Sequence, residues 1–392
     1  MYSVILKKSE EKRILRGEPW VYANEVQRIE GQGKQGDVCR VLSNDGRFVG
    51  LGYINHLSKI IVRILSYKEC DIDYDFFFER INDAVNYRKA LGFEDNYRAV
   101  FGEADLLPGL VVDKYGDYLS CQFLTLGMDK RKQLIVDILV DIFKPNGIYE
   151  RSDVPIRKKE GLSEQAGVLY GEVPDIAYIH ENGLKLCVDI KNGQKTGYFL
   201  DQKENRANVK RYVKGKRVLD CFCNVGGFSL CAASGGAASV VSADISDAAL
   251  EIVRKNAEIN GFKDVIKTVS GDVFELLREY KKNNEKFDVI ILDPPAFAKT
   301  ADAVKDGLRG YRDINIQALK LLNAGGILIT CSCSQHISVN AFTGMLAEAA
   351  ENAGVSVKLC ELRTQSRDHA SLLGFDESLY LKCVVLYVAG KR

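Results

Sequence analysis

The 392-residue sequence predicts an α/β protein with a doubly wound, mostly parallel sheet in its C-terminal half. A small β module and a mixed α+β module precede that sheet. Three observations carry this reading. The first seventy residues are short, apolar and turn-rich; the hydrophobic period changes near residue 71; and from about Gly193 strand-like runs alternate with helical segments. Length agrees, since domains of about 100–200 residues leave room for two or three.

Composition narrows the class. Hydrophobic residues make up 46% and charged residues 27%, which excludes a disordered or fibrous chain. The strongest apolar runs, Val289–Leu292 and Gly326–Thr330, fall far short of the roughly 18 residues of a membrane helix. Lys7, Lys8, Glu10, Glu11, Lys12 and Arg13 interrupt any secretory core near the N-terminus. A soluble, cytoplasmic protein with no membrane association is expected. The net charge of +1 neither supports nor excludes nucleic acid, because binding needs a local basic surface. Eleven cysteines are an odd number, and the expectation is reduced thiols. The pairs Cys221/Cys223 and Cys331/Cys333 offer four thiolates for zinc, but free buried thiols are the commoner outcome. No metal is expected.

The elements follow in order. Ser3–Leu6, Asp37–Leu42, Phe48–Ile54 and Ile60–Ile64 read as strands, with Asn44-Asp45-Gly46 as a hairpin turn. Residues 1–70 therefore form a small barrel or sandwich. Asp75–Ala90 has helical spacing, capped by Asp73 or Asp75 and ended by Gly92. Residues 71–190 continue with strands at Leu110–Val112, Tyr118–Leu124, Gly147–Glu150, Val168–Tyr170 and Lys185–Asp189, and a helix over Met128–Phe143. Residues 191–392 hold strands Arg217–Asp220, Ala238–Asp244, Val265–Ser270, Phe287–Asp293, Gly326–Cys331, Val355–Leu362 and Tyr380–Val388. Between the earlier ones lie helices Gly227–Ala233, Asp247–Ile259, Val273–Lys282, Arg312–Leu322 and Ala341–Ala350. The last two strands have no helix between them and read as an antiparallel hairpin.

Ligands of open α/β sheets bind beyond the carboxyl ends of the strands. The first strand ends in Asp220-Cys221-Phe222-Cys223-Asn224-Val225-Gly226-Gly227, which lacks the dinucleotide Gly-x-Gly-x-x-Gly pattern. The second ends at Asp244, placed to hold the ribose hydroxyls of an adenosine. The third leads to Asp272 and the fourth ends at Asp293. A mouth of four aspartates repels a pyrophosphate. It suits S-adenosylmethionine, which carries a sulfonium, an ammonium and one carboxylate. Helix capping by each aspartate is the bland alternative.

Asp293-Pro294-Pro295-Ala296-Phe297 resembles the Asp/Asn-Pro-Pro-aromatic signature of methyltransferases acting on planar amines or bases. The prolines stiffen the loop, and Phe297 is a candidate to stack on the base. The fifth strand ends in Thr330-Cys331-Ser332-Cys333-Ser334. Methylation of a pyrimidine C5 needs such a cysteine, because a thiolate on C6 makes C5 nucleophilic. Lys191, Lys195, Lys203, Arg206, Lys210, Arg211, Lys214, Lys216 and Arg217 make a locally basic stretch, suited to RNA phosphates or to a solvated helix face.

Longer motifs carry a family resemblance. Gly193-Gln194-Lys195-Thr196-Gly197-Tyr198-Phe199-Leu200-Asp201-Gln202-Lys203-Glu204-Asn205-Arg206 resembles a signature of the bacterial 23S ribosomal RNA large-subunit methyltransferase I family. Tyr149–Asp153, Glu103–Asp113 and Tyr311–Asn315 agree with it. The resemblance spans essentially the whole chain. It implies a PUA RNA-binding domain over 1–70, a mixed linker domain over 71–190, and a Rossmann-like class I methyltransferase domain over 191–392. It implies S-adenosylmethionine held by Phe222, Asn224, Gly226, Asp244, Asp272, Asp293 and Gln202, and 23S rRNA as the substrate that receives a methyl at cytosine C5. It points to Cys333 as nucleophile, aided by Asp293, with Cys331 two residues away left as a competing candidate. The Asp368-His369-Ala370 tail departs from the family pattern, lacking the proline often found after the histidine. Methylation of another atom such as guanine N2, and a non-catalytic RNA-binding or assembly role, remain alternatives. The oligomeric state is not legible, which leaves a homodimer open.

Overall fold

The computed structural model describes residues 1–391. They group into two compact units. The first comprises residues 1–179, 188–201 and 367–378, and the second residues 180–187, 202–366 and 379 onward.

The first unit opens with six strands, β1 (Tyr2–Leu6), β2 (Trp20–Tyr22), β3 (Val26–Glu30), β4 (Val38–Leu42), β5 (Phe48–Ile54) and β6 (Ile60–Ser66), ordered β2-β6-β5-β4-β1-β3. The β4–β5 hairpin turns at Gly46, whose φ of +84° suits glycine. Alternate side chains, among them Val4, Leu6, Val41, Val49, Val62 and Ile64, fill the interior of this module. The second sheet has β7 (Asn96–Phe101), β8 (Leu110–Tyr115), β9 (Tyr118–Phe123), β10 (Gly147–Ser152) and β11 (Gln165–Gly171) in the order β11-β10-β9-β8-β7. The helix Tyr74–Ala90 packs on it, and Asp73 caps that helix by accepting from the Phe76 amide at 3.1 Å.

β7 escapes a hydrophobicity reading because Arg98 lies in its middle. The guanidinium is nonetheless buried, and it makes two 2.7 Å hydrogen bonds to Asp113 on the neighbouring strand.

The two sheets of this unit share a core: Tyr53 and Leu65 pack with Ile81, Phe123 and Met128. Tyr53 donates to the Pro108 carbonyl at 2.6 Å. Arg63, 9% exposed, reaches Glu103 at 3.0 Å and Glu160 at 3.1 Å and lies over the Trp20 ring. Phe375, from the returning segment 367–378, meets the same ring edge-on at 4.8 Å.

Residues 177–188 form a two-stranded ribbon, β12 (Ala177–Glu181) and β13 (Leu184–Val188). The second unit is then built on β14 (Arg217–Cys221), β15 (Ser239–Asp244), β16 (Ile266–Ser270), β17 (Phe287–Leu292), β18 (Leu322–Ser332), β19 (Val355–Arg363) and β20 (Lys382–Lys391). Their order is β16-β15-β14-β17-β18-β20-β19, parallel except for β20, which runs antiparallel to both neighbours. The chain reverses direction across the sheet between β14 and β17, the switch point that opens a ligand crevice. The expected C-terminal hairpin is present, with residues 364–381 between its strands. No helix among the described residues is long and apolar enough to cross a membrane.

Replacing Arg63 by methionine strands two largely buried carboxylates, a change that costs about 3–5 kcal/mol. Urea denaturation at neutral pH should record that loss.

Candidate active site

The second unit brings its strand ends together through short, strained turns. After β14 the chain runs through Phe222, Asn224 and Gly226 with φ of +61°, +50° and +83°. Positive φ is unfavourable for the first two, and such strain concentrates where a backbone must approach a ligand. A Cβ at Gly226 would come within 3.1 Å of the Val253 side chain, so the position is tight as well as left-handed. The loop is tied to the end of β15. Asp244 accepts the Asn224 amide at 2.9 Å on one oxygen and the Ser246 amide at 3.0 Å on the other.

The four strand-end aspartates differ. Asp272 is exposed and caps the helix Val273–Lys282, accepting from the Phe274 amide at 2.7 Å. Asp293 is half-buried and accepts from Gln202 Nε2 at 2.8 Å, which joins the end of the Gly193–Arg206 signature to β17. Gln202 itself accepts from Asn205, and Asn205 from Arg363. Asp220 is fully buried: Ser229 donates to one oxygen at 2.6 Å, and the other has no partner among the described residues. Burial, reinforced by the charges of Asp293 and Asp244, pushes the Asp220 carboxyl up to about 7.

The two cysteines separate clearly. Cys331 lies within β18, fully buried beside its cross-strand neighbour Cys383, and that contact together with burial pushes its thiol well up. β18 ends at Ser332, so Cys333 leaves the strand and escapes the same-face alternation expected of residues two apart. It is half-exposed, with Sγ 3.9 Å from the Pro294 carbonyl. Its neighbours Ser332 and Ser334 are fully buried. Ser334 Oγ accepts from the Ala298 amide at 3.1 Å and lies 3.0 Å from the Tyr311 hydroxyl. Cys333 is thus held at the Asp-Pro-Pro loop by flanking residues that cannot move freely.

Phe297 is partly buried, its ring packed on Tyr311 at 4.6 Å and on Phe274 at 5.9 Å, on the margin of the core. Four of the nine residues of the basic stretch are paired with carboxylates. Lys191 meets Asp175, Lys195 meets Asp201, Arg206 forms a buried bidentate pair with Glu181, and Arg217 meets Glu285. Sequence reading also missed Lys382, whose burial beside Ser334 only the β18–β20 register reveals. No group of three or more His, Cys, Asp or Glu among the described residues is arranged to hold a metal.

The acidic crevice and its strained turn suit a cationic adenosine ligand, and known proteins bear this out at the level of class. Residues 158–369 match the S-adenosylmethionine-dependent methyltransferase family, and residues 4–67 match the PUA-like domain. The fold is that of a methyltransferase from Streptococcus mutans, with a TM-score of 0.84 at 23% identity over 99% of this chain and 100% of that one. A second methyltransferase structure, in complex with S-adenosylhomocysteine, superposes with a TM-score of 0.85 at 23% identity and the same coverage. The chain is an S-adenosylmethionine-dependent methyltransferase.

More particular relatives are much closer in sequence. The ribosomal RNA large subunit methyltransferase I of Aeromonas salmonicida is 43% identical over 390 residues, 98% of each chain. That of Aliivibrio fischeri is 42% identical over 387 residues, 97% of this chain and 98% of its own. This chain belongs to the ribosomal RNA large subunit methyltransferase I family.

The raised carboxyl of Asp220 has a measurable consequence. Its folded-state value of about 7 lies above the ordinary 3.8, so the folded protein binds the extra proton between those values and stability falls as pH rises through them. Asp220→Asn should therefore lose less stability than the wild type between pH 5 and pH 8 in thermal melts.

Proposed function

We propose that this protein methylates C5 of a cytosine in 23S rRNA, using Cys333 as a covalent nucleophile. The relatives named for the large ribosomal subunit support the substrate class, and the PUA-like module supports RNA as the ligand. The observation that carries the chemistry is the half-exposed Cys333 thiol, pinned between two buried serines at the Pro294 carbonyl.

S-adenosylmethionine, when bound, supplies an electrophilic methyl on a sulfonium. The residues present fit it: Asp244 would accept the ribose hydroxyls, and the Phe222–Gly226 turn would line the amino-acid end. Asp272, Asp293 and Gln202 complete the proposed cofactor set. The Asp244 oxygens already accept one amide each, which fixes the carboxylate while leaving lone pairs for a ligand. Asp293, steadied by Gln202, would hydrogen-bond the amidine edge of the cytosine and orient the ring.

Cys333 thiolate adds to C6, forming an S–C6 bond and moving the double-bond electrons to C5. C5 would then take the methyl as its bond to the sulfonium breaks, leaving a neutral thioether. A base then removes the C5 proton, the C5–C6 double bond re-forms and the S–C6 bond breaks, returning the thiolate. Cys331 is a poor candidate for this role, because burial and the Cys383 contact hold its proton on. Residues 1–70, 71–190 and 191–392 remain the proposed functional division, with the first positioning RNA. Tyr53 and Arg63 are built into the rest of their unit, so deleting residues 1–70 would damage the fold as well as RNA binding.

Cys333→Ala should lose turnover by several orders of magnitude while binding S-adenosylmethionine normally, whereas Cys331→Ala should keep much of its activity. Nucleoside mass spectrometry of methylated 23S rRNA should detect 5-methylcytidine. A product of N2-methylguanosine, or full activity in Cys333→Ala, would overturn the proposal. Asp244→Ala should weaken cofactor binding by about 1–3 kcal/mol in calorimetric titration.

A further inference from the structure

Lys382 is a buried cation beside the proposed nucleophile. It opens β20 opposite Ser332, and its side chain is 3% exposed. Nζ donates to the carbonyl of Ser334 at 2.7 Å and to that of Tyr380 at 2.8 Å. Those two bonds turn the ammonium toward the segment that carries Cys333. Among the described residues no carboxylate pairs with it, and the nearby side chain whose charge would favour the ammonium is Cys333. A lysine taken out of water without a carboxylate is costly to keep charged. Burial accordingly pulls Lys382 down to about 8, within reach of the ordinary thiol value of about 8.5.

We propose that Lys382 is the positioning residue that activates Cys333, accepting its proton and remaining as the counter-ion of the thiolate. The proton leaves Sγ for Nζ, so a neutral thiol and a neutral amine become a thiolate and an ammonium; no other reactant is needed. The two backbone carbonyls take two of the three ammonium protons and leave the third available to the sulfur. The exchange conserves net charge inside the site, so the thiolate forms without leaving an unpaired buried ion. Other titratable groups around this segment are less suited. Tyr311 is itself pushed up by burial and is engaged with Ser334. Asp293 is an anion that opposes a thiolate, and Cys383 is taken up by Cys331. This inference rests on the reading of Cys333 as nucleophile, but it makes a claim about the thiol that can be measured without RNA.

The test is the pH profile of iodoacetamide alkylation at Cys333, followed by peptide mass mapping in the full-length protein. S-adenosylmethionine binding serves as the check of folding. In the wild type, alkylation should half-saturate below the ordinary thiol value of about 8.5. Lys382→Met should move the profile up by about one pH unit or more, a loss of roughly tenfold in rate near neutrality. Lys382→Arg, which keeps a fixed cation, should preserve fast alkylation. Equal rates at Cys333 in all three proteins would overturn the proposal. So would a wild-type profile that half-saturates at or above the ordinary value, a result that stands even if Lys382→Met fails to fold. The two readings fail separately. A lysine-dependent profile without 5-methylcytidine rejects the nucleophile assignment alone. Conversely, 5-methylcytidine formed with an unchanged profile rejects only the role of Lys382.

Discussion

The site depends on one junction, the hydroxyl of Ser334. It accepts from the Ala298 amide on the loop after β17 and meets the Tyr311 hydroxyl from the helix Val304–Leu321. Fully buried, it fastens two adjacent strand ends that parallel pairing alone leaves to diverge as loops. A hydrogen bond in such a place is strong because its alternative is an unsatisfied buried group. Cys333 lies one residue before this point. Its position relative to the Asp-Pro-Pro loop is therefore set by backbone, not by the rotamer of an exposed side chain.

The cofactor side of the sheet follows the same logic with charge in place of hydroxyls. Strain in the Phe222–Gly226 turn is held by the Asn224 amide on Asp244, and Gln202 steadies Asp293 across the switch point. Asp220 sits beneath them with an unpartnered oxygen and a raised carboxyl. A site of several acids avoids self-repulsion by keeping one of them neutral over part of the physiological range.

Much of this was legible in the sequence for physical reasons. Parallel strands buried on both faces read as apolar runs, so β14, β15, β17 and β18 were expected nearly where they lie, and the ends of β15 and β17 indicated Asp244 and Asp293. What escaped was carried by polar or small residues. β7 was hidden by Arg98, whose guanidinium is buried against Asp113 on another strand. The helix Val304–Leu321 starts well before the expected Arg312. Gly307 weakens its helical signal, yet a Cβ there would come within 2.8 Å of Ala298. Lys382 could not be found by pattern, because its partners are backbone carbonyls. Cys331 and Cys333 could not be separated by pattern, because they lie two residues apart in Thr330-Cys331-Ser332-Cys333-Ser334; β18 ends at Ser332, and one thiol is sealed while the other is presented.

The central claim is that Cys333 forms a covalent bond to the base, and trapping tests it most directly. A 23S rRNA fragment containing 5-fluorocytosine, incubated with the full-length protein and S-adenosylmethionine, cannot release fluorine in place of the C5 proton and should leave a stable adduct. Peptide mapping of that adduct should place the modified nucleotide on Cys333. An adduct on Cys331, or no adduct under conditions where unmodified RNA is methylated, would contradict the account.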